Sequence, residues 1–290
     1  MMVSMVMSKN SKNKNFITKY RDMKASKYEV RGVARSAALS FLSALQRKKA
    51  EDCLRFIYCH YVFDDQISSF FNILSSLKGI GQFVDTDTAI NMVKGLTPIK
   101  GRNFHISFDD GFKNNFTNAV PVLNDLNIKA LFFVPTKVIG STYEITEEYC
   151  LVAGRYGAVM ELMSWSDLRE MANMGHAIGS HTRTHKNLSQ ISLDDKKLRS
   201  EIIGSKNDIE NEVGSICRAI SWPYGKMIDF DERSLMTVVE AGYDACFSAC
   251  RGTVSGVSHR SLYTIPRHHF EPQWSVRHVE FFAHGNLERS

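Results

Sequence analysis

The sequence predicts a (β/α) barrel of about seven strands. From residue 53 onward, short apolar, β-branched or aromatic runs alternate with longer amphipathic segments. This alternation is typical of βαβ units and a largely parallel sheet. Seven or so units in one chain favour a closed barrel over an open sheet. In addition, polar residues directly follow five of the apolar runs, where a barrel would gather them on one rim.

Each element is justified by its own residues. Seven apolar runs are predicted to be strands: Leu54–Cys59, Phe104–Phe108, Ala130–Val134, Ala177–Gly179, Cys217–Ser221, Ala245–Ser248 and Leu262–Ile265. Six amphipathic segments are predicted to be helices: Ile67–Leu77, Asp85–Lys94, Phe116–Leu126, Ser166–Met174, Leu193–Val213 and Asp231–Ala241. Ser166 is a suitable N-cap for its helix, and the glycines at 175 and 242 suit helix ends.

The first 50 residues differ from the rest in charge. They contain twelve Lys and Arg against two acidic residues, whereas the whole chain carries a net charge of +5. Residues 1–33 are predicted to be a polar leader, and residues 34–50 have the apolar spacing of a helix. We therefore expect a basic extension over 1–50 and a catalytic domain over 51–290. The extension could contact an anionic surface, although a solvated leader is the favoured interpretation.

Composition excludes several classes of protein. With 43% hydrophobic and 23% charged residues, the chain can bury a core and is not predicted to be disordered. No apolar run reaches the roughly 20 residues that span a bilayer, and the N-terminus lacks the order of a secretory signal. The six cysteines form no CxxC pair and are expected to be reduced, buried thiols. These features predict a cytoplasmic protein without nucleic-acid partners.

Residues of catalytic potential follow the predicted strands. The five clusters are His60; Asp109 and Asp110; His181 and His185; Trp222, Pro223 and Tyr224; and Arg267, His268 and His269. In a β/α barrel the carboxyl ends of the strands form one rim, where active sites lie. We therefore expect these five clusters to meet in one cleft.

Two histidines and a carboxylate in this set suit a metal ion. His181 and His185 are four residues apart and would face the same way on a helical turn. One carboxylate of Asp109 and Asp110 could complete a His-His-Asp set while the other stays free as a base. Such a site supports metal-assisted hydrolysis of an amide or ester. Read separately, the histidines could be structural and the Asp-Asp-Gly an Asx-type turn.

Three of these motifs together resemble the polysaccharide deacetylase family, the NodB homology domain. They are Phe108-Asp-Asp-Gly111, Ser180-His-Thr-Arg-Thr-His185 and Trp222-Pro-Tyr-Gly225, in the family's order. The resemblance extends over roughly residues 54–270. It implies a distorted β/α barrel and removal of an N-acetyl group from an amino sugar, with release of acetate.

The resemblance also implies roles for individual residues. Asp109 would be the general base, and Asp110, His181 and His185 would bind a divalent metal ion, with Zn²⁺ expected. The main-chain amide of Tyr224 would stabilise the oxyanion.

The chain departs from the family pattern in two places. Ser221 stands where an arginine often orients the base, and Arg267 could supply that charge. The general acid has no clear counterpart; His268 is the favoured candidate, with His269 and His284 as alternatives. His60, Trp222 and Pro223 are candidate substrate contacts.

These observations predict a metal-dependent hydrolase acting on an N-acetylated amino-sugar unit of a glycan or glycan precursor, in surface-glycan synthesis. Two alternatives remain open from the sequence. One is a hydrolase of a non-sugar amide on the same catalytic plan. The other is a non-catalytic glycan-binding module, which the presence of all four predicted base and ligand residues disfavours.

Overall fold

The computed structural model describes residues 15–23, 52–255 and 262–285. It contains eight strands: β1 Cys53–Cys59, β2 Gln82–Phe83, β3 Arg102–Phe108, β4 Leu131–Val134, β5 Ala177–Ser180, β6 Ala219–Ser221, β7 Ala245–Phe247 and β8 Arg267–His269. The α-helices span Ile67–Ile80, Thr86–Val93, Val120–Asp125, Tyr143–Glu148, Trp165–Asn173, Leu188–Ile191, Asp195–Val213, Glu232–Glu240 and Val276–Ala283. Two π-helical turns, Asn115–Ala119 and Tyr149–Ala153, complete the longer elements.

Seven of the strands form a nearly closed parallel barrel, as the sequence predicted. Their order is β7-β6-β5-β4-β3-β1-β8, and the short β2 pairs with the start of β3. The two ends of the sheet approach each other where Ile265 forms a parallel bridge to Phe247 and its carbonyl accepts the amide of Ser248. All strands point the same way, so their carboxyl ends share one rim.

The last strand was predicted in the wrong place. Leu262–Ile265 was expected to be the strand, yet only Ile265 makes a β-bridge there. The strand begins after Pro266, at Arg267, which pairs with Phe56 of β1. The apolar residues Leu262 and Ile265 pack in the barrel interior, and the polar run Arg267–His269 forms the strand through its pairing with β1.

One helix also starts earlier than predicted. Its N-cap is Ser164, whose hydroxyl accepts the amide of Asp167, while the Asp167 carboxylate accepts the amide of Ser164. This capping box satisfies two amides of the first turn, so Ser166 is not needed as the cap.

The barrel has an inner and an outer apolar layer. Inward-facing residues of alternate strand positions, such as Phe56, Phe133 and Phe247, fill the interior below the rim. Outward-facing residues, such as Ile57 and Ile106, pack under the surrounding helices. Because the interior is filled with rings, the cleft at the carboxyl rim has a rigid floor.

Residues 15–23, part of the predicted extension, pack against the barrel. The amide of Ile17 donates to the carbonyl of Val159, the amide of Asp64 donates to the carbonyl of Thr18, and the amide of Tyr20 donates to the Asp65 carboxylate. Side chains of this segment join an aromatic cluster beside the rim. The predicted helix over 34–50 lies outside the described residues.

Two further sequence features can be compared with the structure. All six cysteines are described and none forms a disulfide; five of them are buried. In the part of the chain that the structure describes, no helix combines the length and the apolar character that crossing a bilayer requires.

Candidate active site

A cleft opens at the carboxyl ends of the strands, and residues from distant parts of the sequence line it. They include Tyr58 on β1 and His60 after it, Asp109 and Asp110 after β3, His181 and His185 after β5, Trp222 and Tyr224 after β6, and Arg267 on β8. Each of the five clusters therefore contributes to the cleft as predicted, although Pro223, His268 and His269 are not part of its lining.

Asp109 is held by a buried arginine. Nη1 of Arg267 donates to Oδ1 of Asp109 at 2.7 Å, and Nη2 donates to Oδ2 at 2.8 Å. Nη2 also donates to the hydroxyl of Ser221, and Nε donates to the carbonyl of Ser248. Both partners of the ion pair are almost fully buried. The two hydrogen bonds fix the orientation of the carboxylate. Ser221, which stands where the family often has an arginine, accepts a hydrogen bond from Arg267.

Asp110 points to the other wall of the cleft. Its Oδ1 lies 3.4 Å from Nε2 of His181 and 3.3 Å from Nε2 of His185. Among the described residues these three form the group of side chains that could hold a metal ion, and all three are buried. Nδ1 of His181 lies 2.7 Å from the carbonyl of Ser221, which orients Nε2 toward Asp110.

A loop, and not the predicted helical turn, brings the two histidines together. Residues 181–185 have no helical structure, and both Thr182 and His185 have positive φ angles, 64° and 58°. The helix Asp195–Val213 holds this loop through Glu201, which accepts the amides of Arg183 and Thr184. The chain reverses direction at the two positive-φ residues, and as a result the Nε2 atoms of both histidines face the same oxygen, Oδ1 of Asp110.

The surroundings set the charges of these groups. Burial alone would raise the pKa of Asp109, but the Arg267 guanidinium, together with His181 and His60, holds that pKa below its usual value. Burial lowers the pKa of His181 to about 4, although Asp109 and Asp110 act in the opposite direction. At neutral pH the site therefore presents ionised carboxylates and a neutral His181, which is the form that binds a metal ion.

Two tyrosines that the sequence analysis did not select complete the surroundings of Asp110. The hydroxyl of Tyr149 donates to Oδ1 at 2.8 Å, and the hydroxyl of Tyr156 donates to Oδ2. Neither tyrosine follows a strand. The search for polar residues directly after predicted strands, which identified the other site residues, therefore could not identify them.

The Tyr224 amide is free to bind an anion. No protein acceptor takes this amide in the described part of the chain, and the residue has a φ of 64°. Gly225 follows with a φ of 68°, and a Cβ there would lie 2.3 Å from that of Ala249. The sharp turn after β6 thus requires glycine at position 225.

Of the three residues predicted to contact the substrate, two line the cleft and one does not. His60 lines the cleft beside Tyr156, with ring centroids 6.2 Å apart. Trp222 lines it too, but its ring stacks on Phe230 at 4.4 Å, and Pro223 is buried and is not part of the lining.

His268 lies on the opposite face of β8 from Arg267, because successive strand residues alternate. It lines a separate small cavity with Ile57 and Val279. The structure therefore does not bring His268 to the site. The ring of His269 lies near those of Tyr58 and His60, with centroids 5.1 and 5.3 Å away, yet His269 lines the same separate cavity as His268 and not the cleft. His284 is buried outside the cleft lining.

Fold and site together define a parallel β/α-barrel protein with a buried Asp-His-His set beside an arginine-held carboxylate. The family model described as polysaccharide deacetylase matches residues 98–246, which is just over half of the chain. The chain belongs to the polysaccharide deacetylase family.

Individual relatives agree with this assignment. The chain is 29% identical over 170 residues to YxkH of Bacillus subtilis, which is named for the same family; the match covers 59% of this chain and 52% of YxkH. It is 29% identical over 125 residues to a peptidoglycan-N-acetylglucosamine deacetylase of Bacillus cereus, covering 43% of this chain and 37% of that protein. The chain thus spans about half or less of the length of these curated relatives.

Solved structures show the same fold. IcaB from Ammonifex degensii superposes with a TM-score of 0.67 at 20% identity, covering 81% of this chain and 98% of that one. The deacetylase PplD of Streptococcus pyogenes, solved in complex with acetate, superposes with a TM-score of 0.64 at 16% identity, covering 79% and 96%.

Proposed function

We propose that the protein is a metal-dependent hydrolase that removes the N-acetyl group from an amino-sugar unit of a glycan or glycan precursor. The observation that carries this proposal is the pair of adjacent carboxylates in one cleft, with Asp109 held by Arg267 and Asp110 facing two imidazole Nε2 atoms. Membership of the polysaccharide deacetylase family supports the choice of an acetylated carbohydrate as substrate.

The residues present fit a divalent cation, with Zn²⁺ expected. One carboxylate oxygen and two imidazole nitrogens are ligands that zinc accepts, and three protein ligands leave a position open for catalysis. The negative charge of buried Asp110 has no arginine or lysine partner among the described residues, unlike that of Asp109. When bound, the cation would supply Lewis-acid polarisation of a water molecule and of the acetyl carbonyl.

The chain's own residues would then carry the proton and the developing charge. Asp109 is ionised at neutral pH and would take a proton from the attacking water. Arg267 donates a hydrogen bond to each carboxylate oxygen of Asp109, and these two bonds would keep the base aligned. The Tyr224 amide would donate to the oxyanion as the carbonyl becomes tetrahedral, and such a donor contributes about 10²–10³ in rate.

We propose that His60, and not His268, donates a proton to the leaving amine. His60 lies in the cleft lining, whereas His268 lies on the far side of β8. We expect His60→Gln to lower kcat about 10²-fold, because the leaving amine would lose its proton donor. His268→Gln, the matched control, should change kcat less than about threefold. Equal losses in the two variants would contradict this assignment.

Acetate release is the direct test. The purified protein is incubated with N-acetylglucosamine oligomers and with simple non-sugar acetamides, first after chelation and then with Zn²⁺ restored. We expect release from the sugars only, dependent on the added metal and absent in Asp110→Asn. Release from the non-sugar amides alone would replace the substrate class. Stoichiometric metal binding without any release would favour a glycan-binding module.

A further inference from the structure

Two neutral phenols bracket the carboxylate of Asp110. Tyr149 donates to Oδ1 at 2.8 Å and Tyr156 donates to Oδ2, so each oxygen receives one hydroxyl. Both tyrosines come from a single segment that begins at the π-helical turn Tyr149–Ala153. A π-turn is rare and is frequent at functional sites, because it displaces side chains from the regular helical positions.

The bracket fixes the rotation of the carboxylate. Oδ1 is the oxygen that lies 3.4 and 3.3 Å from Nε2 of His181 and His185. A carboxylate rotates broadly about its last bond when nothing holds it. With a hydroxyl on each oxygen, Asp110 keeps Oδ1 toward the two imidazoles. Its own backbone, at a φ of 74°, sets the direction of the side chain.

The two hydroxyls remain donors across the whole working pH range. Burial, with the Asp110 charge as a second cause, raises the pKa of both tyrosines well above the ordinary value. They stabilise the carboxylate without neutralising it, in contrast to Arg267, which neutralises Asp109. The charge of Asp110 therefore stays available for a cation, while its orientation is already set.

The rings are held independently of their hydroxyls. The Tyr156 ring packs edge-on against Phe112, with centroids 5.0 Å apart, and the Tyr149 ring packs edge-on against His185, with centroids 5.7 Å apart. Tyr149 belongs to a buried aromatic cluster that also contains Tyr61. A Phe substitution therefore removes one hydrogen bond and keeps the packing.

We propose that Tyr149 and Tyr156 are positioning residues that orient Asp110 and thereby set the affinity of the Asp110-His181-His185 site for its metal ion. This inference rests on the metal site of the proposed function, and it concerns a property that can be measured without substrate. Hydrogen-bond partners of metal ligands typically contribute 10–100-fold in metal affinity.

The test compares three full-length tyrosine variants after chelator treatment. Tyr149→Phe and Tyr156→Phe each remove a hydroxyl from Asp110. Tyr61→Phe is the matched control, because its ring lies in the same cluster and its hydroxyl is paired with Glu271. Zn²⁺ alone is titrated by calorimetry with a competing chelator. We expect Kd to rise about 10–100-fold in the first two variants and less than twofold in the control.

Two further measurements separate positioning from packing. Replacement by Co²⁺ should give a visible absorption spectrum that differs from wild type in Tyr149→Phe and Tyr156→Phe but not in Tyr61→Phe. The thermal midpoints of the three metal-free variants should agree within a few degrees. Unchanged Kd values and spectra in Tyr149→Phe and Tyr156→Phe would overturn the proposal, and so would an equal loss of affinity in all three variants.

The failure of this inference differs from the failure of the proposed function. Wild-type protein that binds no Zn²⁺ would overturn both the metal site and the role of the tyrosines. Wild-type protein that binds Zn²⁺ but releases no acetate would overturn the proposed substrate alone. The Kd values of the Phe variants would then still decide the role of the tyrosines.

Discussion

The two walls of the cleft hold neighbouring carboxylates in opposite ways. On one wall, Asp109 forms a two-pronged ion pair with the Arg267 guanidinium, which also donates to Ser221. On the other wall, Asp110 faces two imidazoles and two phenols, with no arginine or lysine partner among the described residues. The two residues are adjacent in sequence, yet one is complete as an ion pair and the other is not.

This difference matches the two roles that we propose, a base for Asp109 and a metal ligand for Asp110. Burying a carboxylate is costly unless a positive charge compensates it. Arg267 supplies that charge for Asp109 from within the protein, so Asp109 can stay ionised and available to a proton. The neutral hydrogen-bond donors around Asp110 orient its carboxylate but leave the negative charge uncompensated. This wall is therefore suited to binding a metal cation from solution.

Exchanging each carboxylate for its amide should separate the two roles most strongly. We expect Asp109→Asn and Asp110→Asn each to lower deacetylation by about 10³-fold or more, since one removes the base and the other the ligand. Only Asp110→Asn should weaken Zn²⁺ binding, whereas Asp109→Asn should bind Zn²⁺ within a few-fold of wild type. Metal analysis after dialysis checks the distinction. Loss of Zn²⁺ from both variants would show that the two walls act as one site.

Removing the internal counter-charge should have the next largest effect. Arg267→Met leaves the buried charge of Asp109 without its partner, and breaking such a pair costs about 3–5 kcal/mol in the free energy of unfolding. The pKa of Asp109 should rise, so the acid limb of the kcat/KM profile should move to higher pH. Urea unfolding and the pH–rate profile measure the two effects. The double variant Asp109→Asn with Arg267→Met should be less destabilised than Arg267→Met, and a strictly additive result would contradict the pairing.

As pH falls, the wall that contains His181 should lose its contribution to the free energy of unfolding before the wall that contains the Asp109–Arg267 ion pair does. The unfolded chain protonates a histidine near pH 6.5, whereas folded His181 does so at about 4. Between these values the unfolded state binds more protons, so the free energy of unfolding of the metal-free protein should decrease as pH falls, by up to about 1.4 kcal/mol per pH unit for this group. The pKa of Asp109 lies below this window, so its ion pair should persist.

His181→Gln is the control for this pH dependence. Urea midpoints of the metal-free protein, measured in the presence of a chelator from pH 7 to pH 4.5, should fall less steeply in His181→Gln than in wild type. Parallel slopes in the two proteins would show that another group is responsible for the acid sensitivity.

The parts of the site that follow strands were predictable from the sequence. The runs ending at Phe108 and Ser180 are short, apolar and followed at once by polar residues, and a parallel barrel has one rim for such residues. Topology therefore brings Asp110, His181 and His185 together without any knowledge of loops. The helical-turn argument for the two histidines was wrong, but their convergence depended on the strand and not on the turn.

The parts that depend on non-local contacts were not predictable in this way. Tyr149 and Tyr156 act because a long segment without a strand returns to Asp110, and their spacing carries no signal of that return. The error at His268 came from the last strand. An apolar run was taken for the strand, whereas the strand is polar, and alternation from Arg267 turns His268 away from the cleft.

The contacts of residues 15–23 affect how the protein should be shortened for laboratory work. A chain cut at the predicted boundary near residue 51 would lose Ile17 and Tyr20, which pack on the aromatic cluster that contains Tyr149. It would also lose the link between Ile17 and Val159, three residues beyond Tyr156. A shortened form meant to retain the cleft should keep residues 15–23. An affinity tag should be added before these residues and should not replace them.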